Sequence, residues 1–334
     1  MTIPILVDVD TGIDDSLALL YAIASPEADL LGASCVAGNV TLDAVASNTA
    51  AVLDLVGRSD VEVAAGCAYP IARPLVITPE THGPTGTGHA ELTAPPDRLS
   101  ERSGIDLLVD TARSRPGEVT LIALGPLTNI ARALDREPRL LTLLERLVIM
   151  GGCFGVAGNT APRTEWNMHV DPEAAKLVFA AAGRDSRKLP LIMPLDLTEE
   201  ARLLPHHVSR MAGVAGTAME SLEPLVSRVH PLMSFITDAL RFYMEFHQRY
   251  DGFYGAFIHD PFAVAAALDP SLVRAVETTV DVETAGELTM GETVADLRNS
   301  WGRKPNAAVA LAGSAHVFLE QFVARIGRLA RAQA

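Results

Sequence analysis

The densest chemistry in the chain lies near its start, in Leu6-Val7-Asp8-Val9-Asp10-Thr11-Gly12-Ile13-Asp14-Asp15, where an apolar run ends among four aspartates. Carboxylates this close repel one another and stay ionised together only beside a cation or hydrogen-bond donors. The pattern predicts a helix over 16–24, and one aspartate ahead of it would be an ordinary cap. Four exceed what capping needs, so the cluster points to a cation. No Cys or His falls at zinc-type spacing, so the ion is hard, Ca2+ or Mg2+, and several carboxylates on a flexible turn favour Ca2+.

Three further stretches carry polar groups of the right kind. In Gly158–Asn167, the amides of Asn159 and Asn167 donate and accept while Glu165 accepts only, a set that suits a polyol such as a sugar but also caps turns. In Phe257-Ile258-His259-Asp260-Pro261, Asp260 suits a helix N-cap and Pro261 the first helical position, and His259 beside them is able to act as an acid or polarise a leaving group. Tyr243 and His247 lie four apart on one predicted helix face, where they either pack beneath a lid or assist departure. The glycine-rich run His82–His89 reads as a lid or a solvated turn, and its His82 is a candidate substrate contact.

Elements that position these groups follow from the hydrophobic periodicity. Predicted strands over 3–9, 30–37, 62–65, 119–124, 147–150 and 189–194 alternate with helices over 42–56, 105–114, from 127 and over 172–182. That alternation implies an α/β fold, an open and mostly parallel central sheet with helices on both faces and a Rossmann-like core. Ligands of such sheets gather at the carboxyl ends of strands, where Asp10 falls. No linker-like stretch divides the pattern, which predicts a single domain over 1–334. A helical stretch over 216–249, β-rich segments over 275–282 and 286–297, a strand over 307–311 and a terminal helix should flank the core.

Composition agrees with a folded α/β chain: 49% hydrophobic, 20% charged and 5% aromatic residues. A net charge of −14 opposes binding to nucleic acid polymers, which requires clustered Lys and Arg. Three scattered cysteines and a start without a basic signal region predict reduced thiols and a cytoplasmic protein. No apolar run approaches the roughly 20 residues of a membrane span.

Taken together and in order, Asp8–Asp15, Val36-Ala37-Gly38-Asn39-Val40, Ala123–Asn129, Val148–Gly152, Asn159–Asn167 with Val170-Asp171-Pro172, and His259-Asp260-Pro261 resemble the inosine-uridine preferring nucleoside hydrolases across almost the whole chain. The resemblance implies Ca2+ held by Asp10, Asp15, Asp260 and the carbonyl of Leu124, with Asp10 also the general base. It implies ribose contacts from Asp14, Asn39, Met150, Asn159, Glu165 and Asn167, with His259 facing the base. The ligand would be a ribonucleoside, and the assembly a homodimer or homotetramer. Trp166, Met168-His169 and Met290 depart from the common family pattern, which bears on base preference. On this expectation, attack by a water held against Asp10 builds oxocarbenium-like charge on the ribose. Two other readings stand beside it: a haloacid dehalogenase-like phosphatase using Asp8 and Asp10, and a nucleoside or sugar binder without turnover.

Overall fold

Strands covered on both faces must be apolar on both, and the first strand of this protein is apolar up to its last turn of sequence. The computed structural model describes residues 2–185, 188–217 and 230–333. Its strands are β1 (Ile3–Val9), β2 (Ala28–Cys35), β3 (Glu62–Ala65), β4 (Thr120–Ala123), β5 (Arg146–Met150), β6 (Leu191–Met193), β7 (Arg202–Leu203), β8 (Ala256–Phe257), β9 (Val273–Thr278), β10 (Val280–Val282), β11 (Thr293–Ala295) and β12 (Ala307–Gly313). Eight form one sheet in the order β3-β2-β1-β4-β5-β6-β12-β9, parallel throughout except for β9. The predicted open, mostly parallel sheet is the observed one. Its chain order reverses between β1 and β4, the switch point at which such sheets open a crevice.

The helices are α1 (Ile13–Ala24), α2 (Leu42–Leu55), α3 (Pro79–His82), α4 (Gly104–Ser114), α5 (Thr128–Arg136), α6 (Leu140–Leu143), α7 (Trp166–Val170), α8 (Pro172–Asp185), α9 (Leu195–Thr198), α10 (Pro205–Ala215), α11 (Pro231–Tyr250), α12 (His259–Leu268) and α13 (Ala315–Ala332). Alternate residues of β1 face opposite ways. Ile5, Val7 and Val9 pack with α1, α2 and α10 to α13, whereas Leu6 joins α4, α5, α6 and α8. Every residue of α1 from Ile13 to Ala22 is buried, which explains a helix apolar all round beyond its first turn. Among the described residues, no helix is long and apolar enough to cross a membrane.

Four sequence expectations need correction. Helix α1 begins at Ile13, not at residue 16, because Gly12 is its N-cap and Asp14 and Asp15 lie inside its first turn. Of the helix predicted over 216–249, Gly216, at φ 86°, instead closes α10, and α11 begins at Pro231 behind the His230 cap. Residues 218–229 of that stretch lie outside the described residues. Within 286–297 only β11 is extended, since the Glu283 carboxylate accepts from Ala285 and Gly286 and turns the chain there. Asp260 is the second residue of α12 rather than its N-cap, which is Ile258.

Candidate active site

Ends of parallel strands converge on the crevice. Asp10 follows β1, Asn39 follows β2, Leu124 follows β4 and Met150 ends β5. Asp10 is fully buried: its Oδ2 accepts from the Asn39 backbone at 2.8 Å, and its Oδ1 has no partner. The carboxylate lies between two glycines that leave it room. A Cβ on Gly38 would stand 2.2 Å from Oδ2, and one on Gly125 2.8 Å from Oδ1.

Asp15 serves two purposes. It accepts from the backbone of Asp10 at 3.2 Å and of Gly12 at 3.0 Å, closing the first turn of α1 as a capping residue would. It also offers an oxygen that lies, with oxygens of Asp14 and Asp260, inside a group spanning at most 4.8 Å. Burial first, and then mutual repulsion, pushes the acids of Asp10, Asp14 and Asp260 well above the carboxylate range; burial also raises Asp15. Among the described residues, no salt bridge neutralises any of the four. Oxygen-only donors with uncompensated buried charge are what a hard cation requires. Asp10 is not one of the three grouped acids, but it adjoins them through Asp15.

The second predicted stretch folds over the ends of β4 and β5. Asn167 donates to the carbonyls of Leu124 at 2.6 Å and Met150 at 3.2 Å. Glu165 accepts from the backbones of Gly152, Asn167 and Met168 at 2.8–3.1 Å, so its buried carboxylate shapes the loop as well as lining the cavity. Asn159 accepts from the Trp166 backbone at 2.9 Å. Of the residues that depart from the family pattern, Trp166 lines the cavity, Met168 is fully buried beside it, and Met290 contributes its carbonyl to Thr164 at 2.9 Å rather than a side chain to the cavity.

A cavity of about 620 Å³ joins these groups to a wall of rings: His82, Tyr243, His247, Phe257 and His259. His82 Nδ1 accepts from the backbone of Ile13 at 3.1 Å, which places the proton of the neutral ring on Nε2. Burial, with His247 nearby, lowers His82 to about 3, and burial with both other histidines lowers His259 to about 3. Thr198 Oγ1 meets His259 Nδ1 at 2.8 Å. Tyr243 stands 5.5 Å from His82 and 4.6 Å from His247 between ring centres, so the helix pair faces the cavity. The run from His82 to His89 is pinned rather than free: Asn48 donates to Thr85 at 2.7 Å, and Thr87 is fully buried.

Asp8, by contrast, faces α5. Asn129 donates to its Oδ1 at 2.8 Å and also to Ser34 and to the Cys35 carbonyl. Asp8, Asp10 and Asp15 are all absent from the cavity lining itself, but Asp8 differs in that its carboxylate is held by Asn129 and lies outside the group formed by Asp14, Asp15 and Asp260, which counts against the phosphatase reading. Glu199, Phe246, Tyr250 and Asp251 line the cavity and were not singled out in the sequence.

The family model described as inosine-uridine preferring nucleoside hydrolase matches residues 5–320. Proteins named pyrimidine-specific ribonucleoside hydrolase RihA from Enterobacter sp. (strain 638) and Citrobacter koseri are each 37% identical over 311 residues, covering 92% of this chain and 93% of theirs. Among solved structures, a purine-preferring ribonucleoside hydrolase from Gardnerella vaginalis superposes with a TM-score of 0.88 at 28% identity, and the plant nucleoside hydrolase PpNRh1 with 0.86 at 26%. Each covers 98% of this chain and 99% of the other.

Proposed function

The chain belongs to the inosine-uridine preferring nucleoside hydrolase family and is a ribonucleoside hydrolase, and from that premise we propose that it cleaves pyrimidine ribonucleosides to base and ribose with the aid of one Ca2+. The observation that carries this is the buried trio Asp14, Asp15 and Asp260, two of which, Asp14 and Asp260, line a cavity walled by neutral imidazoles, with Asp15 accepting from the backbone of Asp10, whose Oδ1 has no partner among the described residues. The relatives at 37% identity are named pyrimidine-specific, which supports that choice of base.

Asp10, Asp15, Asp260 and the Leu124 carbonyl would hold the ion, since all are oxygen donors and the acids lack any other counter-charge. When bound, Ca2+ supplies positive charge that acidifies a water and fixes ribose hydroxyls. Asp10 accepts the proton of the attacking water at Oδ1, the oxygen that no donor among the described residues occupies. Asp14, Asn39, Met150, Asn159, Glu165 and Asn167 contact the ribose and hold its reacting carbon in place. The carboxylates favour the positive charge that grows on the sugar ring. His82 and His259 are neutral, so they assist the departing base by hydrogen bonding rather than as imidazolium acids. Tyr243 and His247 complete that wall.

Free thiols at Cys35, Cys67 and Cys153 support a cytoplasmic setting. The resemblance supports one catalytic domain assembled as a homodimer or homotetramer. The functional test is ribose release from uridine, cytidine, inosine and adenosine without phosphate, comparing the natural protein with Asp10→Ala. Release from the pyrimidine nucleosides that disappears in the variant is expected. No release from any of the four would overturn the assignment.

A further inference from the structure

Besides the exposed Glu80, the cavity lining carries two further acids that hydrolysis does not use. Glu199 follows Thr198, the residue that holds His259, and lines the cavity half-buried. Asp251 follows α11 and lines the same cavity, where its Oδ2 meets His247 Nδ1 at 2.7 Å. Three charged groups face Glu199: Asp251 from the end of α11, Asp196 from α9, and Arg202 from β7. The one cation among them, Arg202, donates from Nε to the backbone carbonyl of Glu199 at 3.4 Å and lies with its guanidinium 5.2 Å and 5.4 Å from the ring centres of Phe253 and Phe257, rather than bonding the carboxylate. No side-chain donor is bonded to the Glu199 carboxylate among the described residues.

The sugar-reading groups Asp14 and Asn167 line the same cavity as Glu199. A nucleoside that sets its ribose there and its glycosidic nitrogen near His259 has its base beside the ring that Thr198, the neighbour of Glu199, holds at 2.8 Å. We propose that Glu199, backed by Asp251, is a specificity-determining residue that accepts a hydrogen bond from the exocyclic amino group of the base, so that cytidine is preferred to uridine. The proposal rests on the assignment of this cavity to pyrimidine ribonucleosides.

The discrimination has a simple chemical origin. An ionised carboxylate only accepts, so it matches the 4-amino group of cytosine and opposes the 4-carbonyl oxygen of uracil. A site built to pair with a donor rejects an analogue lacking it, because the acceptor is left buried and unpaired. Burial, reinforced by Asp251 and Asp196 and opposed by Arg202, holds the acid of Glu199 up at about 7. Below that pH it carries a proton and is able to donate to a carbonyl, which narrows the preference; above it the preference widens.

The test uses the calcium-loaded enzyme and three substrates: cytidine, uridine, and the cytidine analogue that lacks the 4-amino group. kcat/KM is measured for the natural protein, Glu199→Ala and Glu199→Gln at about pH 6 and about pH 8. In Glu199→Ala, cytidine should lose roughly ten-fold or more while uridine and the analogue stay within about two-fold, which also shows that the variant folds. In Glu199→Gln, the cytidine-to-uridine ratio should no longer change with pH. Equal losses on cytidine and the analogue, or a cytidine-to-uridine ratio unaltered by either substitution, would overturn the proposal while leaving hydrolysis intact. Failure of the natural protein to release ribose from any of the three would overturn the assignment of the cavity itself.

Discussion

The side-chain amide of Asn167 donates to the carbonyl of Leu124 at 2.6 Å, and through a second contact to Met150 it ties the ends of two adjacent strands. Both carbonyls belong to the proposed site, so one amide sets where each of them points. Asn167→Ala should lower kcat/KM on uridine by about a hundred-fold or more and cost about 1–3 kcal/mol of stability, because two buried carbonyls lose their donor. Ribose release and urea denaturation measure the two effects separately. Full activity with full stability would remove Asn167 from the site.

Room for Asp10 is made by backbone. Gly38→Ala would put a methyl group against Oδ2, and the same methyl would stand 2.9 Å from Cδ of Pro126, so the carboxylate must move. The expected result is a loss of turnover comparable to that of Asp10→Ala, with the melting temperature lowered by only a few degrees, roughly the 1–3 kcal/mol typical of overpacking. Calcium titration by calorimetry should show weakened binding. Unchanged binding would mean that Asp10 does not touch the ion.

Removing the metal should make stability depend on pH in an unusual direction. Asp10, Asp14 and Asp260 have folded-state pKa values raised above those of the unfolded chain. The folded protein therefore holds extra protons, and the stabilisation is complete below the ordinary carboxylate range and lost as pH rises through the raised values. Chelated protein should melt at lower temperature at mildly alkaline than at mildly acidic pH. Added Ca2+ should restore most at the alkaline end, with release of protons on binding. A melting temperature indifferent to Ca2+ at every pH would contradict a cation at these acids.

Dependence on the ribose hydroxyls follows from the polar groups around Asp14, Asn39 and Asn167. 2′-Deoxyuridine should show kcat/KM at least about a hundred-fold below uridine, since orientation through that hydroxyl is lost. Equal turnover of the two would mean that these residues bind something other than the sugar.

Much of this was legible in the sequence because strand ends and motifs coincide. The apolar run before Asp10 fixes where β1 stops, and a parallel sheet then dictates that Asp10, Asn39, Leu124 and Met150 meet. The start of α1 was misplaced for a physical reason: Asp14 and Asp15 look like turn residues, yet the bonds from Asp15 to Gly12 and Asp10 wind them into the helix. Glu199 escaped notice because Thr198-Glu199-Glu200 has the composition of a solvated turn, and only the approach of α11 makes its first acid part of a cavity wall. Met290 drew attention through its side chain, whereas its carbonyl supports the loop, a contribution that residue type does not encode.

Asp14 and Asp15 occupy the first turn of the first helix, while Asp260 opens a helix close to the other end of the chain. During synthesis the two early acids are made long before their third companion leaves the ribosome. A nascent chain therefore carries an incomplete cation pocket, and an ion captured at the finished trio joins an early helix to a much later one as a late clasp.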